Sequence, residues 1–177
     1  MVSRRLQPAW NCLALMSVLL CNASVAVNGQ GRKAAPSASR TRIVAGTIVE
    51  GDIDTRTLRA ALESLPRAPE RIVMVGADAM PPEHEPQWRD LDAFVPLRSR
   101  VIYLRRQSPT LLAAEYDGGP YLLMLAVVIW HEMAHTEGLD ERQAQLREED
   151  LWKQFVQRGL VDSGVGLTYL DELRRRR

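Results

Sequence analysis

Residues 120 to 130, Pro-Tyr-Leu-Leu-Met-Leu-Ala-Val-Val-Ile-Trp, form an apolar run that ends abruptly in His131-Glu132-Met133-Ala134-His135. A helix with no charged residue on any side has no wetted face, so this run predicts a helix buried all round, with the rest of the domain assembled about it. The polar side chains that close it then need partners. Burying an imidazole or a carboxylate unpaired costs kcal/mol apiece.

On a helix, residues four apart lie one turn above each other, so His131 and His135 share a face and offer two nitrogens to one ion. Zinc accepts such a pair. Glu132 lies about 100° round the helix from His131, where it touches a water at that ion without ligating the metal, the position of a general base. Three histidines and twelve glutamates scattered through 177 residues would produce this spacing by accident roughly once in 300 such chains. The bland alternative is a helix end carrying two surface histidines, and the apolar run before it argues against that.

A third ligand follows from periodicity. If a helix runs from Asp140 to about Val156, then Ala144, Glu148, Leu151, Trp152, Phe155 and Val156 fall within about 80° of Glu141, which places both glutamates inside an apolar stripe. Arg142, Arg147, Asp150, Lys153 and Gln154 point away, as a solvated face should. A carboxylate in a buried stripe needs a cation or a donor. Glu141 and Glu148 stand two turns apart, about 10 Å along the axis, so only one can ligate the ion. The turn expected at Gly138 reverses the chain beneath His135 and favours Glu141, leaving Glu148 as a partner for a histidine N–H. Asp140 fits a helix N-cap, and Glu137 fits a solvent-facing position.

Through His131, Glu132 and His135, followed by Gly138 and acidic residues, the chain resembles the zincin metallopeptidases. The resemblance covers residues 120 to 141 by motif and implies that His131 and His135 bind catalytic zinc while Glu132 activates the water. In the metzincin pattern a glycine turn brings a third histidine to the tenth residue after the first. Here that residue is Glu141, and no methionine follows Met133, so the metzincins' methionine turn has no counterpart. A glutamate as third ligand on the next helix is the gluzincin arrangement, at a shorter separation. The resemblance therefore implies a compact gluzincin-like site of His131, His135 and Glu141 with metzincin-like spacing.

The remaining sequence sets the context. Residues 1 to 26 resemble a secretory signal, with Arg4 and Arg5 before an apolar stretch and small residues at Ser24 and Ala26 suited to cleavage. The stretch is short for a membrane span. Both cysteines, Cys12 and Cys21, fall inside it, so the exported chain would have neither a disulfide nor a thiolate metal site. That suits a periplasmic or secreted protein, membrane-anchored only if the segment is retained. Without Arg4 and Arg5 the charges stand at 21 basic against 22 acidic, a balance that gives no reason to expect nucleic acid as a partner. Residues 27 to 40 read as a flexible linker. Residues 41 to 177 then form one domain.

Within it, Arg42 to Val49 reads as a strand, Asp54 to Leu65 as an amphipathic helix, and Arg71 to Val75 and Val101 to Leu104 as further strands. Ser108-Pro109 reads as a helix start. The expected class is α+β, with a small mixed sheet packed on a buried active-site helix and a helical C-terminal part, as the zincin resemblance also implies. Val101 to Leu104 or Arg71 to Val75 is a candidate edge strand for a peptide substrate, while each taken singly reads more readily as a plain interior strand. His84 sits in a proline-bounded loop and fits a solvated residue. Tyr169 either packs the last helix or steadies an oxyanion, and the arginines at 174 to 177 suit a helix C-terminus.

The functional expectation is an exported, monomeric zinc metallopeptidase that hydrolyses peptide or protein substrates with Glu132 as general base. The alternative is a catalytically inactive zincin-like domain that uses its metal for structure or binding.

Overall fold

The computed structural model describes residues 40–76 and 91–175. The signal segment, the linker up to residue 39, the 81–86 loop with His84, and the last two arginines lie outside the described residues.

The chain opens with a hairpin, β1 (Thr41–Val44) and β2 (Thr47–Glu50), followed by α1 (Thr55–Glu63) and β3 (Arg71–Val75). Next come β4 (Ala93–Phe94), β5 (Val101–Arg105) and α2 (Pro109–Tyr116). Three helices complete it: α3 (Pro120–Thr136), α4 (Glu141–Gln157) and α5 (Ser163–Arg175). The sheet order is β1-β2-β3-β5-β4, with β2, β3 and β5 parallel and both edge strands antiparallel to their neighbours. A mixed sheet followed by consecutive helices is the α+β arrangement expected.

One strand expectation is corrected. The segment from Arg42 to Val49 is two strands, because Ala45 (φ 47°) and Gly46 (φ 84°) both take left-handed backbone between the paired Val44 and Thr47. Two positive φ values in succession make the two-residue turn whose twist matches a hairpin. Ala-Gly carries this turn without the Asn-Gly signal that would have announced it. Strands 71–75 and 101–104 are both interior, as each reads singly, since β3 pairs with β2 and β5 and β5 pairs with β3 and β4. The strand edge near the motif helix belongs to β4, only two residues long and too short to show alternation.

Asp92 anchors β4. Its carboxylate accepts from the Ser108 and Thr110 hydroxyls, the latter at 2.6 Å, and its backbone carbonyl accepts from Arg105 N–H at 3.0 Å. The start of α2 is thereby tied to the edge of the sheet. Ser108 also caps α2, accepting from Leu111 N–H at 3.0 Å, with Pro109 at the first helical position as expected. Asp54 caps α1 from outside, so that helix starts one residue later than its sequence pattern suggested.

Helix α3 is the hub. It packs against α1, α2, α4, β4 and β5, and Leu125, Ala126, Val127 and Ile129 are fully buried. The core-facing side of the sheet supplies Val44, Val49, Ile72, Ile102 and Leu104. Burial is not complete all round, contrary to what the apolar run suggested: one side is fully buried, Leu122, Met124, Val128 and Trp130 are half-buried against the core, and Tyr121 in the first turn is exposed. No helix among the described residues is long and apolar enough to cross a membrane.

Candidate metal centre

The last turn of α3 carries His131 and His135, with ring centroids 4.9 Å apart and planes at 72°. The chain then reverses in a Schellman turn. Gly138 (φ 82°) donates its N–H to the His135 carbonyl at 3.0 Å, and Leu139 N–H donates to the Ala134 carbonyl at 3.1 Å. Asp140 starts α4 with a capping box, its carboxylate accepting from Gln143 N–H while the Gln143 side chain accepts from Asp140 N–H. Glu141 is thus the first residue of α4, opposite the histidines.

The tips of the three side chains converge. His131 Nε2 lies 3.2 Å from His135 Nε2, and Glu141 Oε2 lies 3.6 Å and 3.3 Å from those two nitrogens. Ligands bonded at about 2.1 Å in tetrahedral geometry stand roughly 3.4 Å from one another. The observed triangle has that size. All three atoms can therefore reach one ion without rearrangement, and among the described residues this is the one group of histidine and carboxylate side chains that could hold a metal.

The far side of each side chain is held as well. His131 Nδ1 is 2.9 Å from Glu148 Oε2, and His135 Nδ1 is 3.0 Å from the Leu139 carbonyl oxygen. Gln145 donates to Glu141 Oε1 at 2.8 Å. A backbone carbonyl only accepts, and so does an ionised carboxylate, so both Nδ1 atoms carry a proton, and each Nε2 presents a lone pair to the centre when its ring is neutral. Two such lone pairs and a carboxylate oxygen facing one another repel unless a cation, or a proton on His131, lies among them.

The titration behaviour agrees. Burial works against protonating His131, but the hydrogen bonds of Glu141 and Glu148 outweigh it and raise its pKa to about 10. The same contact with His131, opposed by partial burial, lowers Glu141 to about 2. Burial dominates at Glu132 and pushes its carboxyl up to about 7, with His131 and His135 pulling the other way. The cluster demands positive charge at its centre, and the acid beside it is poised near neutrality.

Glu141 is brought to the histidines, but not for the reason the periodicity suggested. Its side chain is 65% exposed, because the first residue of α4 precedes the stretch where the helix is packed. Glu148, 4% exposed, is the carboxylate buried in the stripe, and it takes the histidine N–H. Tyr169 is buried behind the cluster, its hydroxyl donating to Glu148 Oε1 at 2.6 Å and its ring 4.4 Å from Trp152. That placement rules out its steadying an oxyanion at the metal face. Glu137 is exposed as expected, yet it pairs with Arg67 and with Arg147, whose guanidiniums lie 5.7 Å and 6.0 Å from the centre of the Trp130 ring.

Sequence reasoning missed Gln145, the Leu139 carbonyl and the link from Glu148 to Tyr169. Gln145 was findable, four residues beyond Glu141 on the same helix face. A backbone carbonyl leaves no trace in residue identity. Comparison with protein-family models, curated proteins and solved structures finds no match for this chain.

Proposed function

We propose that the chain is an exported zinc-dependent metallopeptidase with a zincin-like domain over residues 41–177. The observation that carries this reading is the triangle of His131 Nε2, His135 Nε2 and Glu141 Oε2, of tetrahedral-ligand size and open to solvent on the Glu141 side. Three protein ligands, with no fourth added among the described residues, match the arrangement of catalytic rather than structural zinc. When bound there, zinc supplies a Lewis acid that brings the pKa of a water to about 7 and polarises a substrate carbonyl.

The protein's own residues do the rest. Glu132, held near neutral pKa by burial, takes the proton of the attacking water and delivers it to the leaving amine. Glu148, Leu139 and Gln145 keep the three ligand side chains in register, so little reorganisation is needed on binding. The amide substrate and export rest on the motif and on residues 1 to 26.

The test is metal analysis of the wild type and of Glu132→Gln with a peptide-hydrolysis assay. Both proteins should carry about one zinc per chain, and only the wild type should cleave. A wild type without zinc, or a Glu132→Gln variant with full activity, would sink the reading.

A further inference from the structure

Glu148 and Tyr169 touch no point of the three-tip triangle, yet they form a continuous buried chain behind it. The Glu148 carboxylate is bonded at both oxygens, with Oε2 2.9 Å from His131 Nδ1 and Oε1 accepting the Tyr169 hydroxyl at 2.6 Å. An O–H···O⁻ contact of that length belongs to the strong, charge-assisted class. Tyr169 belongs to α5, so the far end of the chain sits on a different helix from any of the three ligands.

The position of that hydroxyl is set by how α5 docks on α4. Trp152, fully buried on α4, donates its indole N–H to the Gly166 carbonyl at 2.9 Å and packs its ring on Tyr169. A Cβ at residue 166 would stand 2.5 Å from Val156 Cγ2, so the two helices approach at a separation only glycine permits. Close docking aims the phenol at Glu148, which then holds the ring of His131.

We propose that Tyr169, acting through Glu148, is a positioning residue for His131, and that docking of α5 and metal affinity are therefore coupled. This rests on the metal-binding part of the function given above, not on peptide hydrolysis. Without the phenol, Glu148 Oε1 loses a strong donor, and the carboxylate no longer holds the imidazole in one orientation. By linkage the coupling runs both ways, so metal at the triangle stabilises α5.

The experiment uses the full chain with zinc alone as ligand. Zinc affinity is measured by competition with a chromophoric chelator for wild type, Tyr169→Phe and Glu148→Gln, and the absorption spectrum of the cobalt(II)-substituted proteins reports coordination geometry. Affinity should fall by about 10-fold for Glu148→Gln and by about 3-fold for Tyr169→Phe, at or below the low end for partners of ligating histidines, with altered cobalt spectra. In the wild type, zinc should slow amide exchange across residues 163–175.

A Tyr169 that only packs would lower the stability of metal-free and zinc-loaded protein equally and leave affinity and cobalt spectrum unchanged. That result overturns the coupling, as does zinc-independent exchange in α5, which needs no variant. A wild type that binds no zinc overturns both the coupling and the proposed function. One that binds zinc but cleaves nothing leaves the coupling to stand on its own measurements.

Discussion

The Nδ1–H of His135 donates to the carbonyl oxygen of Leu139 at 3.0 Å, across the turn that joins α3 to α4. One short segment therefore does two jobs. It brings Glu141 to the histidines, and it fixes the tautomer and the tilt of the second ring.

Gly138 makes that turn possible with its φ of 82°. A Cβ there would meet nothing within 4 Å, so Gly138→Ala acts through backbone strain alone, about 1–2 kcal/mol. Urea denaturation of the metal-free protein should show that loss. Zinc affinity should fall with it, because relaxing the strain moves the Leu139 carbonyl.

Glu141→Ala separates ligation from stability. The side chain is 65% exposed, which limits its ion pair with His131 to about 1 kcal/mol, so the metal-free protein should lose no more than that. Zinc affinity should drop by more than about 100-fold, beyond the range for residues that only support a ligand. Paired denaturation and chelator-competition measurements check both halves, and retained affinity would exclude Glu141 as a ligand.

The metal-free protein should lose stability as pH rises. His131 has a folded pKa raised to about 10, so its contribution is complete below its ordinary value of 6.5 and is lost as pH climbs through 10. Glu132, raised to about 7 from 4.5, also binds its proton more tightly when folded, so its term falls over that interval. Glu141, lowered to about 2, works in the opposite sense and is lost only as pH falls from 4.5 through 2. The melting temperature without metal should therefore be highest near pH 4.5 and decline toward pH 10. Zinc affinity should rise over the same range, since the ion replaces a proton held by His131.

Ala45→Gly is a stabilising change remote from the site. Ala45 occupies left-handed backbone at φ 47° in the β1–β2 turn, a conformation that favours glycine by about 1 kcal/mol. A gain of roughly 0.5–1 kcal/mol in unfolding free energy, seen as a raised denaturant midpoint with unchanged zinc affinity, is expected, part of the relief being offset by the greater freedom of glycine in the unfolded chain. A loss would mean that the Ala45 methyl contributes more by packing than its backbone costs.

Much of this molecule is legible in residue order because its signals are local. The apolar run 120–130 ends in a buried helix, Asp140 caps α4, Pro109 opens α2, and Arg71–Val75 is a strand. The pairing of His131 with His135 follows from helix pitch alone. The β1–β2 turn escaped notice because alanine rarely adopts the conformation it has here, and β4 because two residues carry no periodicity.

By itself the sequence determined which side chains were available for the centre and which helix would present two of them, since spacing along one helix needs no knowledge of anything beyond it. The turn expected at Gly138 already favoured Glu141 as ligand and Glu148 as its support, but the tertiary structure fixed that division of labour. Both lie on one side of α4, and the choice depends on which end of that helix meets the histidines and which is covered by α5. That is a matter of how three helices pack, and packing joins residues too far apart in the chain for any local pattern to record.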